Sequence, residues 1–115
     1  MSSTKIEDLV TELFRTNQNI QKICLLNSDG SFSHFLTRID VDDGEKKRLA
    51  ASIMASVVLA ERSIFNLVQE NVNQVVIKSE NNITLIFTTK QNNYLYVLAD
   101  NDFDYKTILK IDFNF

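Results

Sequence analysis

The sequence predicts an α+β domain: a five-stranded antiparallel sheet with helices on both faces, in the order α-β-β-α-β-β-β-α. Three observations carry this. Residues 6–14 repeat apolar side chains at helical spacing, residues 20–39 hold two apolar strands around Asp29-Gly30, and residues 45–100 hold one long apolar helix followed by three strands on short Asn-rich connections. A chain of 115 residues that is 44% hydrophobic can build one core and has no staple for two, so a single domain over residues 1–115 is expected.

The opening helix rests on Ile6, Leu9, Val10, Leu13 and Phe14, which fall on one face. Thr4 with Glu7 fits a capping box, and residues 17–19 end the helix. Residues 20–26, IQKICLL, are apolar on both faces and read as a strand covered from both sides. Asp29-Gly30 predicts a tight turn with positive φ at both residues, returning the chain along residues 31–39. Asp42 or Asp43 is placed to cap the long helix, residues 45–69. Strands over 73–80, 83–90 and 94–100 follow, joined at 80–82 and 91–93, where asparagine tolerates left-handed backbone angles. In the tail, Asp102 or Asp104 can cap a short helix that turns Tyr105, Ile108 and Leu109 inward, while Ile111, Phe113 and Phe115 alternate like a strand; the short helix is the reading adopted.

Composition excludes several classes of function. One cysteine, Cys24, forbids an internal disulfide, and one histidine, His34, excludes a His-rich or Cys/His zinc site. A net charge of −3 argues against nucleic-acid binding. Gly30 and Gly44 are isolated, so there is no phosphate-cradling loop. No unbroken run of about 18 apolar residues is seen, so no membrane insertion is expected, and a cytoplasmic, reducing compartment is. Asp40, Asp42, Asp43 and Glu45 lack calcium-loop spacing, as do Asp100, Asp102 and Asp104. No metal, cofactor or catalytic residue is expected. Lys46, Lys47 and Arg48 form a short basic run at the start of the long helix. Cys24 and His34 fall on adjacent strands and could be neighbours, which leaves a cysteine hydrolase as a rival.

The informative feature is the long helix. At about 100° per residue its apolar side chains cover an arc of about 200°, where one buried face needs about 100°. Ala51, Met54, Val58 and Phe65 are then left pointing away from the sheet, with Glu61 inside the arc as a rim residue or a cross-subunit partner of an arginine. The opposite edge carries Ser52, Ala55, Ser56 and Ser63, small enough for another helix to approach. Burying Met54, Val58 and Phe65 would contribute about 5–9 kcal/mol per copy, so a twofold dimer can meet an association cost of about 4–15 kcal/mol. The strand at 74–78, QVVIK, should form a sheet edge and invites pairing with another chain.

Taken in order, the opening helix, the strand and hairpin ICLLNSDGSFSHF, the helix KRLAASIMASVVLAERSIFNLV and the three-strand block QVVIKSENNITLIFTTKQNNYLYVLAD resemble the roadblock family, small dimeric scaffolds related to the roadblock light chain of dynein. The tail DYKTILKIDFNF departs from it in lacking the glycine that many members carry after the last strand. The resemblance implies a non-catalytic homodimer, or a heterodimer with a paralogous roadblock protein, that presents a platform to a Ras-like small GTPase. It implies dimer contacts at Ala51, Met54, Ala55, Val58, Val75, Val76 and Ile77, beside Phe65 from the apolar arc, and a GTPase-facing edge at Ser52, Ser56 and Arg62. An assembly adaptor without GTPase contact is the first rival. A small-molecule sensor is another, although the packed apolar positions predict no cavity for it.

Overall fold

The computed structural model describes residues 2–89 and 91–110, with side chains from Ile6 onward. The elements are α1 (Ser2–Thr16), β1 (Ile20–Leu26), β2 (Phe32–Thr37), α2 (Asp43–Val68), β3 (Gln74–Lys78), β4 (Asn82–Thr88), β5 (Tyr94–Asp100) and α3 (Tyr105–Leu109). The five strands form one antiparallel sheet in the order β2-β1-β5-β4-β3. The predicted order and fold class are therefore observed.

Strand alternation divides the core into two layers. Ile23, Leu25, Leu85, Leu95 and Val97 face α1 and α3, where Ile6, Val10 and Ile108 complete the layer. Cys24, Leu26, Ile86 and Tyr96 face α2, which contributes Ala50, Ile53 and Val57. The doubly apolar character of β1 follows from its place inside a sheet covered on both sides.

The hairpins differ from expectation. Between β1 and β2, Gly30 N donates to Asn27 O at 3.0 Å and Asn27 N to Ser31 O at 2.8 Å. Only Gly30, at φ +91°, takes a positive φ. This is a three-residue loop, a turn followed by one left-handed residue, and Asp29 stays on the ordinary side. Asp29 Oδ1 instead accepts from Ser31 N at 2.9 Å and Ser31 Oγ at 2.6 Å, which lowers the pKa of its carboxyl. The β4–β5 loop repeats this closure, with Asn92 N donating to Thr89 O and Asn92 at φ 60°. The β3–β4 turn closes from Ser79 N to Asn82 O at 2.9 Å without a positive φ.

Helix ends show what each boundary needs. Asp42 caps α2, its Oδ1 accepting from Glu45 N at 2.7 Å. Asp104 caps α3, accepting from Lys106 N at 3.3 Å, and Ile108 is buried as expected. α1 begins at Ser2, so Thr4 lies inside it and not at its cap; the Thr4 side chain falls outside the described residues. Ile111, Phe113 and Phe115 also lie outside them. At the other end of α1, Arg38 of the segment after β2 donates to Phe14 O at 2.5 Å, Asn17 O at 3.1 Å and Ile20 O at 3.0 Å. Its guanidinium lies 3.8 Å over the Phe14 ring. One side chain thus satisfies a carbonyl that the helix end leaves open, Phe14 O, and joins it to the loop and to the start of β1.

Candidate functional site

β2 and β3 are the two edges of the sheet, and α2 connects them, so α2 traverses the whole sheet. Its 26 residues span about 39 Å, whereas five strands at their usual spacing are only about 19 Å across. The helix therefore overhangs. Its buried residues, Ala50, Ile53 and Val57, all lie at or before the middle turn, and none lies in the last eleven residues. Beyond them Val58 is 46% exposed, Phe65 50% and Leu67 81%, with Leu59, Ile64 and Val68 also exposed.

The apolar surplus thus has two causes, of which the angular argument gives one. Val58 and Phe65 point away from the sheet, as the wheel requires. Ile64, Leu67 and Val68 occupy the same angular sector as Ile53 and Val57, but the sheet has ended beneath them. Met54 corrects the angular assignment: it is half-buried and packs against the protein's own Ile53–Val57 layer.

Ala51, Ala55, Val58, Arg62 and Phe65 recur at i, i+4, i+7, i+11 and i+14, one stripe along the helix, and all are exposed. Ser52 and Ser56 belong to a different stripe, where Ser56 Oγ donates to Ser52 O at 2.8 Å. The three residues predicted to form one GTPase-facing edge are therefore split, with Arg62 inside the apolar stripe. β3 lies at the edge next to α2's overhang: Val75 packs on the α2 layer, while Val76 and Ile77 are exposed. Glu61 sits half-buried at the rim of a polar cleft of about 430 Å³ with Asn71, Asn73, Thr88 and Asn93.

By length and composition α2 is also apolar enough to cross a membrane, contrary to the expectation that no such segment exists. Two charges, Glu61 and Arg62, interrupt the apolar run, which an unbroken-run criterion misses. In this fold its first half is the cover of the sheet.

Cys24 and His34 do not come together. Cys24 stands opposite Phe35 and lies under α2, whereas His34 stands opposite Leu25 and faces α1, its Nε2 3.0 Å from Thr11 Oγ1. Burial pushes the Cys24 thiol up to about 12, against the opposing pull of Lys22 and Lys46. It is a protonated core group, not a nucleophile. Asp42 and Asp104 are occupied as helix caps, and Asp100 Oδ1 accepts from Asp102 N at 3.0 Å. Among the described residues no metal-holding cluster is found.

A cleft of about 410 Å³ does open between the first half of α2 and the sheet. The packed apolar positions gave no sign of it.

The family model of the Roadblock/LC7 domain matches residues 5–99. A search of curated proteins returns no match. Among solved structures, a Roadblock/LC7 domain from Streptomyces avermitilis superposes with a TM-score of 0.73 at 20% identity, over 89% of this chain and 83% of that one. Myxococcus xanthus MglB gives 0.72 at 20% identity, over 92% and 84%. An MglB described as having a tetrameric arrangement gives 0.76 at 10% identity, over 94% and 79%. At these identities the likeness shows a shared fold.

Proposed function

This chain belongs to the Roadblock/LC7 domain family, and from that membership we propose that it is a non-catalytic, cytoplasmic scaffold that self-associates, or pairs with a paralogous roadblock protein, and binds a Ras-like small GTPase. The observation that carries self-association is the exposed second half of α2 beside the exposed edge of β3. The stripe Ala51, Ala55, Val58, Phe65 and the strand residues Val75, Val76 and Ile77 form the contact, with Met54 bridging it to the core. The part-exposed side chains Val58, Leu59, Ile64, Phe65, Leu67 and Val68 each have about 1 kcal/mol still to gain on burial. Two copies together reach the order of the about 4–15 kcal/mol that association costs. A twofold arrangement buries the same patch on each copy. The tetrameric arrangement of one MglB supports self-association in this fold.

The family resemblance supplies the class of partner. Ser52, Ser56 and Ser63 form the small, polar edge offered to it, and Arg62 projects from the apolar stripe. Any effect on nucleotide turnover comes from ordering the GTPase's switch segments, since Cys24 is sealed under α2 and far from His34's face of the sheet. An assembly adaptor without GTPase contact remains the second reading, favoured by the same exposed face.

Sedimentation equilibrium tests the first step. The wild-type chain is expected to be dimeric at tens of micromolar, and the pair Val58→Glu, Phe65→Glu monomeric with its circular dichroism unchanged. A wild-type monomer at that concentration overturns the scaffold reading. Pull-down with GTP- and GDP-loaded small GTPases tests the second step: capture supports GTPase binding, and a dimer that captures none leaves the adaptor.

A further inference from the structure

The cleft under the first half of α2 has a mixed lining that self-association does not use. β1 is an interior strand, and alternation places Lys22 on the same face as Cys24 and Leu26, beneath the helix. Lys22 is half-buried there, opposite Thr37 and Leu98. A lysine on the covered face of an interior strand is uncommon, because desolvating its ammonium costs free energy unless an anion compensates. Arg48 lines the same cleft from α2. The ion pair found among the described residues, Arg15 with Glu12, lies elsewhere on α1, so neither cation has a salt-bridged carboxylate among those residues. The apolar wall is made by Phe35, Leu49 and Leu98, and Glu45 stands at the rim.

We propose that this cleft binds a small amphiphilic monocarboxylate, its carboxylate held between Lys22 and Arg48 and its apolar body lying on Phe35, Leu49 and Leu98. The volume, about 410 Å³, lies within the range of small-ligand sites, roughly 300–1,000 Å³. Lys22 and Arg48 line the cleft with one carboxylate, Glu45, and Lys46 lies 4.9 Å over the Phe35 ring, so the site is net positive and selects an anion; a second carboxylate would lie against the apolar wall of Leu49 and Leu98, which disfavours a dianion. The aromatic and branched walls require an apolar body, which inorganic anions lack. Arg48 supplies a planar fork matched to a carboxylate, and Lys22 a point charge from below. The site goes beyond the scaffold reading and does not rest on it, since its walls come from β1, β2, β5 and the covered half of α2.

The test is a two-dimensional NMR titration of the full chain with 2-naphthoate, 2-naphthamide and 2,6-naphthalenedicarboxylate as probes. Saturable shifts of the Lys22, Phe35, Leu49 and Leu98 amides by 2-naphthoate are expected, with the neutral amide and the dianion each at least tenfold weaker. Lys22→Met and Arg48→Met keep the apolar stems and should each weaken 2-naphthoate about tenfold. Equal binding of the amide and the carboxylate to the wild-type chain overturns the proposal whether or not the variants fold. So do shifts confined to residues 58–68, which would mean that the probe is only coating the exposed helix face. Failure of the chain to dimerise bears on the scaffold reading and leaves this result untouched.

Discussion

The two halves of α2 are built from the same kinds of residue and have opposite fates. Ile53 and Val57 are 1% exposed, while Ile64 and Val68, in the same angular sector two or three turns later, are 42% and 56% exposed. What separates them is position along the axis. A helix longer than the sheet it crosses keeps apolar side chains where its own subunit has nothing to cover them. A helical wheel discards the axial coordinate and so attributes all of the surplus to angle. The comparison also assigns roles: the first half holds the fold together, and the second half is available for association.

The largest expected effect breaks this division directly. Ile53→Ala should lower folding stability by about 2–5 kcal/mol, the range for truncating a buried Ile. Phe65→Ala, half exposed, should change it by less than about 0.5 kcal/mol in the monomer while weakening association at least tenfold. Urea unfolding at a concentration below association, set beside sedimentation, separates the two quantities. If Phe65→Ala unfolds the monomer as severely as Ile53→Ala, the overhang is part of the core and the division fails.

The contrast extends to how helices end. The C-terminus of α1 is tied to β1 by Arg38, which donates to Phe14 O in the helix, Asn17 O just beyond it and Ile20 O of β1, and stacks on Phe14. Hydrogen bonds from a charged donor contribute about 1.5–3 kcal/mol together at such a site, so Arg38→Met is expected to cost that much by urea unfolding. A loss below about 0.5 kcal/mol would mean that water replaces the guanidinium freely and that α1 ends no more firmly than α2.

Alkaline pH probes the covered half alone. Cys24 lies under it with its thiol raised to about 12 from an ordinary value of 9.0. The native state therefore keeps a proton that the unfolded chain releases above about 9. The contribution is fully present below that pH and is lost as pH rises toward about 12, so this group should lower stability by about 2 kcal/mol between pH 9 and 10.5. The same burial predicts that iodoacetamide labels Cys24 only as fast as the first half lifts from the sheet. In a Ser63→Cys variant the added thiol, on the overhang, should react at once. Equal rates at the two positions would show that the first half of α2 does not cover Cys24.

Much of this was readable beforehand, and the exceptions have physical reasons. β1 and β5 begin and end where apolar runs do, and each cap falls on one of the two aspartates the sequence offers there, Asp42 of 42 and 43 and Asp104 of 102 and 104. The exposed face of α2 was legible at Val58 and Phe65 because a wheel reports direction. Met54 was misplaced because half-burial depends on how the helix tilts on the sheet. Arg38 went unread because its carbonyl partners lie on another element, 18 to 24 residues earlier. The Cys24–His34 pair failed because the two are on adjacent strands but opposite faces: the three-residue loop alone would set Cys24 opposite His34, and an irregularity between Leu25 and Leu26 shifts the register by one and aligns Cys24 with Phe35. The cleft beneath α2 had no signature beyond one lysine in an apolar strand, which is the residue that now points to its ligand.

The smallest effect expected here lies at the last residue of the overhang. Gln69 ends α2 in the left-handed region, at φ 57°, ψ 37°, its N–H reaching Phe65 O at 2.8 Å. Glycine occupies that conformation without the strain a β-carbon brings, but it also gives the unfolded chain more freedom. The strain is about 1 kcal/mol and the entropic loss a few tenths less, so Gln69→Gly should raise stability by about 0.5 kcal/mol. Because the gain is made at the tip of the uncovered half, it should appear first as slower hydrogen exchange of amides in residues 62–69, with those of residues 50–57 unchanged. A uniform slowing along the helix would mean that the two halves open together. In that case the axial boundary near Val58 would describe exposure without describing stability.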